Sequence, residues 1–296
     1  MESAETIYRR TVLARITMEH RAGQRGWRLH HHERLFYKVT TGAPIIRFKF
    51  YHCPPYRQTV HLDQPPASCR LKTKGPNTFF LCQQKVHTKG VISLERELSV
   101  YPHASRITLQ ESWGKISDIP LAVRQKYKQS FTYWPVQSPA VRTIADERWF
   151  STDDLLTWVH DVSQYIDARI KHPEKQDRRL GADQALLSGI GDCDEFTDLF
   201  VTLSRIRGVP CRRLTGYFIS QAHAEVEPHA WGEIQSPTLG WIPVDIALHN
   251  LGNHTMHYII EKIEEFNPAL PDYQVRESPS VHYHWERPLP DVTPLY

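Results

Sequence analysis

The sequence predicts an α+β protein in which an all-β, sandwich-like domain precedes a domain of helices packed on an antiparallel sheet. Three observations lead there. Residues 6 to about 112 break into short β-branched and aromatic stretches punctuated by Gly, Pro, Asn or Asp, at the intervals of a sandwich or barrel. Residues 151–207 hold two runs whose apolar positions recur at helical spacing, and residues 228–247 return to strand alternation about a turn. No internal repeat marks a solenoid or propeller.

Composition bounds the function classes. The chain has 296 residues, 40% hydrophobic and 11% aromatic, which leaves room for two domains. Lys+Arg number 36 against 33 Asp+Glu, a formal charge of +3, so no electrostatic footprint for nucleic acid or a membrane surface is expected. MESAETIYRRTVLARITMEH lacks the apolar core of a secretory signal, and no long uncharged apolar run follows. A soluble, cytoplasmic chain is predicted, with neither membrane nor nucleic-acid partner. Cys53, Cys69, Cys82, Cys193 and Cys211 form an odd, widely spaced set without a C-x-x-C pair. That disfavours both a disulfide framework and a thiolate zinc site and leaves at least one thiol free. HHH at 30–32 sits in apolar alternation with no carboxylate or cysteine at ligand spacing, so no metal is assigned, and no cofactor is expected.

The β half reads as TVLARITM, RLFYKVT, PIIRFKF, TVHL, TFFLCQQKV, VISLERELSVY and RITLQ. Its texture changes at SDIPLAVRQKYKQS, a short helical run, and a Trp-Pro turn and a second helical run follow. The expected division is therefore 1–117 for the β domain, 118–270 for the mixed domain and 271–296 for a proline-rich, extended surface tail. In STDDLLTWVHDVSQYIDARI, Ser151 is placed to cap with Asp154 three residues on, and Leu155, Val159, Val162, Ile166 and Ile170 share one helical face.

GIGDCDEFTDLFVTLSRIRGVPCRRLTGY carries the chemistry. Phe196, Leu199, Phe200, Leu203 and Ile206 follow helical spacing, and Gly208 with Pro210 ends the run. Asp192 suits the N-cap and Glu195 completes a capping box, so Cys193 becomes the first helical residue. There the positive end of the helix favours a thiolate and offers unpaired N–H groups to an oxyanion. Asp192, Asp194 and Glu195 oppose this by raising the thiol pKa, so a cationic partner is required. In EPHAWGEIQSPTLGWIPVDIALHN, alternation puts His229, Trp231 and Glu233 on one strand face, SPTLG turns, and the return strand ends at Asp245. With the turn centred near Pro237, His229 and Asp245 lie opposite each other. A carboxylate beside an imidazole is what a general base needs.

With Cys193, His229 and Asp245 in that order, the sequence resembles the transglutaminase-like superfamily, a branch of the papain-like fold. The segment from Gly189 to Tyr217 is similar to its Cys motif, PHAWGEI to its His motif and GWIPVDIAL to its Asp motif. The resemblance covers roughly residues 139–250, and the preceding β domain is similar in placement to those of microbial members. It implies that Cys193 is the nucleophile, His229 the general base and acid, and Asp245 the orienting carboxylate. The implied reaction is acyl transfer from a peptide or glutamine carboxamide through a thioester. Resolution by water gives a peptidase or amidase, and resolution by a lysine amine gives protein crosslinking. Hydrolysis of a peptide or protein substrate is expected, because microbial members are more often proteolytic. A non-catalytic binding or scaffold protein that kept the fold is the alternative.

The remaining expectations are local. Cys211, where many members have alanine, is expected in the core. Gln184 is not assignable as an oxyanion donor, which leaves the N–H of Cys193. Trp231 and Trp241 are expected to frame the hairpin, and His249, His254 and His257 to be exposed loop residues near the cleft.

Overall fold

The computed structural model describes residues 25–108, 111–149, 151–173, 178–220, 225–266, 273–276 and 280–296; the expected TVLARITM strand lies outside them. The N-terminal half forms β1 (Gly26–Val39), β2 (Ile45–His52), β3 (Gln58–Gln64), β4 (Cys69–Lys74), β5 (Asn77–Lys85), β6 (Lys89–Pro102) and the short β7 (Ser105–Arg106). Helices follow as α1 (Leu121–Tyr127), α2 (Pro139–Trp149), α3 (Leu155–Arg169), α4 (Ala182–Ser188) and α5 (Cys193–Arg207). Then come β8 (Cys211–Ile219), β9 (Val226–Ser236), β10 (Gly240–Asp245), β11 (Asn250–Leu251), β12 (Asn253–His254) and β13 (Tyr258–Glu264). The chain ends in β14 (Tyr273–Arg276), β15 (Val281–Glu286) and β16 (Asp291–Leu295). This is the α+β architecture that the sequence predicts.

Two antiparallel sheets make the N-terminal sandwich. One runs β15-β1-β6-β3 with β16 also on β1, and the other β14-β2-β5-β4. Alternate residues of β1 point inward, as the period of a strand requires, and Leu35 packs with Phe48, Phe50, Phe80, Leu94 and Trp285 between the sheets. The C-terminal segment departs from expectation. Instead of lying as an extended surface tail, it returns to add β14 to β2 and both β15 and β16 to β1. Val281 and Trp285 are buried in the sandwich core. A surface tail and a strand separated by proline-rich turns share the same composition, and only the partner edge distinguishes them.

The cysteines also differ from expectation. Cys69 and Cys82, cross-strand neighbours in the β4–β5 pair, form a disulfide. Cys53, Cys193 and Cys211 are free. The bonded pair stands 13 positions apart in sequence, a spacing without a motif signature, so the hairpin register had to be known first.

The mixed domain sets the helices against a sheet ordered β11-β10-β9-β8-β13. Leu155, Val159, Val162 and Ile166 of α3 and Phe196, Leu199 and Leu203 of α5 enter one core with Ile234 and Val244, each such side chain stabilising by about 1.5–3 kcal/mol on full burial. The cap of α3 is Asp154 rather than Ser151: its carboxylate accepts from the Thr157 N–H at 2.8 Å. A second apolar cluster joins the two halves, with Trp27, Leu29, Leu98 and Val100 of the sandwich against Tyr217, Ile219 and Ile259. Buried polar contacts reinforce the junction, with Gln58 bridging to Ile260 through both its amide groups. No helix among the described residues is long and apolar enough to cross a membrane.

Candidate active site

Helix α5 begins where the sequence places it. Asp192 is the N-cap and accepts from the Asp194 N–H at 2.9 Å, while the Glu195 carboxylate reaches back to the Asp192 N–H at 3.1 Å. Glu195 also accepts from the Leu180 N–H at 2.6 Å, so the box ties the helix start to the preceding loop. A cap of this kind stabilises by about 1 kcal/mol. Gly191 is required by the same contact, because a Cβ there would stand 2.3 Å from Cβ of Glu195. At the far end Gly208, with φ 87°, takes the left-handed cap. Cys193 is thereby fixed as the first helical residue, partly exposed at the edge of the core.

His229 lies on β9, buried, and Asp245 ends β10, also buried. The register pairs Ser236 with Gly240 and Gly232 with Val244, so the turn centres on Thr238 rather than Pro237. His229 and Asp245 are consequently diagonal neighbours on one face and not directly opposed, a separation that a long or aromatic side chain still spans. The ring Nε2 meets Asp245 Oδ2 at 2.7 Å. The second ring nitrogen, Nδ1, is not used by Asp245, and His229 is close enough to Cys193 for each to shift the other's pKa. The structure thus brings all three sequence-predicted site residues together.

Asp245 is itself held. Tyr258 of β13 donates its hydroxyl proton to Oδ2 at 2.8 Å, the Leu248 N–H donates to Oδ1 at 3.1 Å, and Asn250 Nδ2 donates to the Tyr258 hydroxyl at 3.1 Å. The imidazole is flanked by Trp231, nearly parallel at 5.9 Å between centroids. Burial disfavours the charged form of His229, but the Asp245 carboxylate and the hydrogen bonds outweigh it and raise its pKa well above the ordinary value. At Cys193, burial is the leading influence and pushes the thiol pKa up, the hydrogen bond and charge of His229 pull it down, and Asp194 and Asp192 push it up again.

The expected conflict between Cys193 and its acidic neighbours has a second answer that the sequence did not disclose. Arg213 on β8 reaches under the helix start and pairs with Asp194 at 2.5 Å, Asp198 at 3.3 Å and Glu264 at 3.3 Å. Burial works against its charge, yet these carboxylates and Cys193 raise its pKa above the ordinary value. Asp198 is further held by Arg179 and by the indole N–H of Trp134. Arg213 has no motif to announce it, and Tyr258 stands 13 residues past Asp245 on a strand that pairs with β8; neither is readable without the sheet order.

Other expectations divide. Cys211 is fully buried, its thiol pushed up to about 12 by burial. Trp231 is buried, and Trp241 is half-buried beneath the guanidinium of Arg212 at 4.0 Å. Gln184 is exposed on α4. His254 and His257 are buried rather than exposed, because β12 and β13 cross the sandwich junction; only His249 is on the surface, 3.5 Å from Asp167. Glu233, on the His strand, is fully buried against Arg57, Arg212 and Tyr56. An open groove of about 630 Å³ lined by Phe36, Lys89 and His284 includes none of these site residues.

A family model for the transglutaminase-like superfamily matches residues 137–246, the stretch that holds Cys193, His229 and Asp245. Among solved structures, a protein described as a putative cysteine protease from Cytophaga hutchinsonii is similar in fold. It has a TM-score of 0.57 and 13% identity over 91% of this chain and 93% of that one. The periplasmic domain of TgpA from Pseudomonas aeruginosa, bound to ethylmercury, aligns with a TM-score of 0.40 and 17% identity over 81% of this chain and 94% of that one. No curated protein sequence matches.

Proposed function

We propose that the protein is a cysteine-dependent acyl-transfer enzyme that cleaves peptide or glutamine carboxamide bonds, with water as the resolving nucleophile. The observation that carries this reading is the placing of His229, bonded to Asp245 at 2.7 Å, beside Cys193 at a capped helix start, where the two shift each other's pKa. Cys193 Sγ attacks the carbonyl carbon as its proton passes to His229 Nδ1. The oxyanion forms beside the N–H of Cys193, where helix geometry leaves the first amide groups without internal partners. His229 then returns the proton to the departing amine, the C–N bond breaks, and a thioester remains. Water adds to the thioester with His229 as base and releases the acid and the thiol. Asp245 stabilises the imidazolium in each half-reaction.

A glutamine-containing peptide library incubated with and without a primary amine, and read by mass, tests this. Hydrolysis predicts cleaved peptides or one-dalton deamidation products, both absent with Cys193→Ala. Amine adducts in place of hydrolysis would make the protein a crosslinking transglutaminase. No product, together with Cys193 alkylated by iodoacetamide no faster than the other thiols at about pH 6, would leave a binding protein that kept the fold.

A further inference from the structure

His30 and His32 stand two apart on β1, so both rings emerge from the outer face of the sandwich while His31 between them is buried. From sequence they lack a carboxylate at ligand spacing. The fold supplies one from the opposite end of the chain: β16 pairs antiparallel with β1, in a register that sets Asp291 directly beside His30. The imidazole rings lie 4.0 Å apart between centroids, and His32 Nε2 stands 3.5 Å from Asp291 Oδ2. One donor atom from each of His30, His32 and Asp291 lies within 4.8 Å of the others. A four-coordinate ion at about 2.0–2.2 Å from each ligand needs its donors roughly 3.3 Å apart. His32 and Asp291 are exposed and His30 is half-buried, so side-chain rotation can close that distance with the strands in place.

The neighbours suit a cation. On the other side of β1, β6 sets Glu97 beside His30 and Glu95 beside His32. Glu95 Oε1 lies 3.9 Å from His32 Nδ1, the ring nitrogen that Asp291 does not face. A carboxylate behind a ligating imidazole fixes its tautomer and raises its basicity, the usual support for a metal-bound histidine. Arg28 pairs with Glu97 at 3.5 Å, so Glu95 and Asp291 are the carboxylates left to His32. We propose that His30, His32 and Asp291 form a binding site for a divalent transition-metal ion of the zinc class, with Glu95 as the orienting carboxylate of His32. Two imidazoles and one carboxylate favour such an ion over Ca²⁺ or Mg²⁺, which take oxygen ligands. The ion joins the first described strand to the last and clamps the C-terminal strand to the sandwich.

The test uses the untagged full-length chain carrying Cys193→Ala, which removes the thiol from the other cluster of donor atoms among the described residues, Asp192, Cys193 and Asp194. Calorimetric titration with ZnCl₂ is expected to show one saturable equivalent, weakened more than about tenfold by His32→Gln, His30→Gln or Asp291→Asn and less by Glu95→Gln. Cu²⁺ bound to the parent is expected to give an electron-spin spectrum with coupling to two imidazole nitrogens, and His30→Gln to leave one. Zinc should raise the melting temperature of the parent and leave that of Asp291→Asn unmoved. Equal zinc affinity in parent and variants, no binding at about 100 µM zinc, or Mg²⁺ binding as tightly as zinc, each overturns the proposal.

Discussion

Arg213 pairs with Asp194, the residue that follows Cys193, at 2.5 Å, and so neutralises an acidic group one position from the sulfur. Asp194 raises the Cys193 pKa, and its replacement leaves Arg213 still paired with Asp198 and Glu264. Asp194→Asn is therefore expected to lower the thiol pKa and speed iodoacetamide alkylation of Cys193 at about pH 6 several-fold. Arg213→Met removes the buried cation that Asp194, Asp198 and Glu264 share, of which Asp198 keeps Arg179 and Glu264 keeps Lys262, and is expected to cost about 3 kcal/mol in urea unfolding. Alkylation no faster in Asp194→Asn than in the wild type would count against the electrostatic account.

Tyr258 separates the positioning of the base from the base itself. Its hydroxyl is bonded to the Asp245 oxygen that also meets His229. Tyr258→Phe removes a hydrogen bond to a charged group, expected to cost about 1.5–3 kcal/mol in stability. Turnover should fall with KM nearly unchanged, since the ring touches the carboxylate and not the nucleophile. Asp245→Asn should do far more, roughly 10³- to 10⁴-fold in kcat. Equal losses in the two variants would sink this ordering of roles.

Stability should peak near neutral pH. His52 and His254 are buried, and burial first, then nearby arginines, hold their pKa at about 3. The unfolded chain binds these protons below about pH 6.5 and the folded chain does not, so each histidine removes on the order of 1 kcal/mol per pH unit on acidification. His229 acts on the other side. Its raised pKa gives stability that is complete below the unfolded value of about 6.5 and is lost as pH climbs through the folded one. Urea midpoints from about pH 4 to 8 check both limbs. His52→Phe with His254→Phe should flatten the acid limb, and an unchanged slope would refute the assignment.

The Cys69–Cys82 bond should be detectable by thiol counting and by stability. Denatured protein without reductant is expected to show the three free thiols Cys53, Cys193 and Cys211, and reduction to add two. Closing a loop of this length stabilises by about 3 kcal/mol, so Cys69→Ser with Cys82→Ser should lower the urea midpoint. The same double variant should leave Cys193 alkylation unchanged, because the bond lies in the β4–β5 hairpin and not near α5. Five thiols before reduction in protein alkylated directly from its native cells would instead indicate a reducing compartment.

The sequence by itself determined what is local. Capping residues, helical periodicity and the Gly208–Pro210 stop act within a few positions, so the start and end of α5 and the placing of Cys193 at its first turn were readable. Hairpin alternation likewise put His229 and Asp245 on one face, although the register fell two residues from expectation. Tertiary structure decided everything that depends on strands meeting across long separations. The pairing of β16 with β1 turned an expected tail into a sandwich edge and gave His30 and His32 a carboxylate. The β4–β5 register joined two cysteines, and the order β9-β8-β13 carried Arg213 beneath Cys193 and Tyr258 onto Asp245. Local backbone preferences are written in neighbouring residues, whereas sheet order is selected by the total apolar surface that the finished core buries, and no short window of sequence contains that sum.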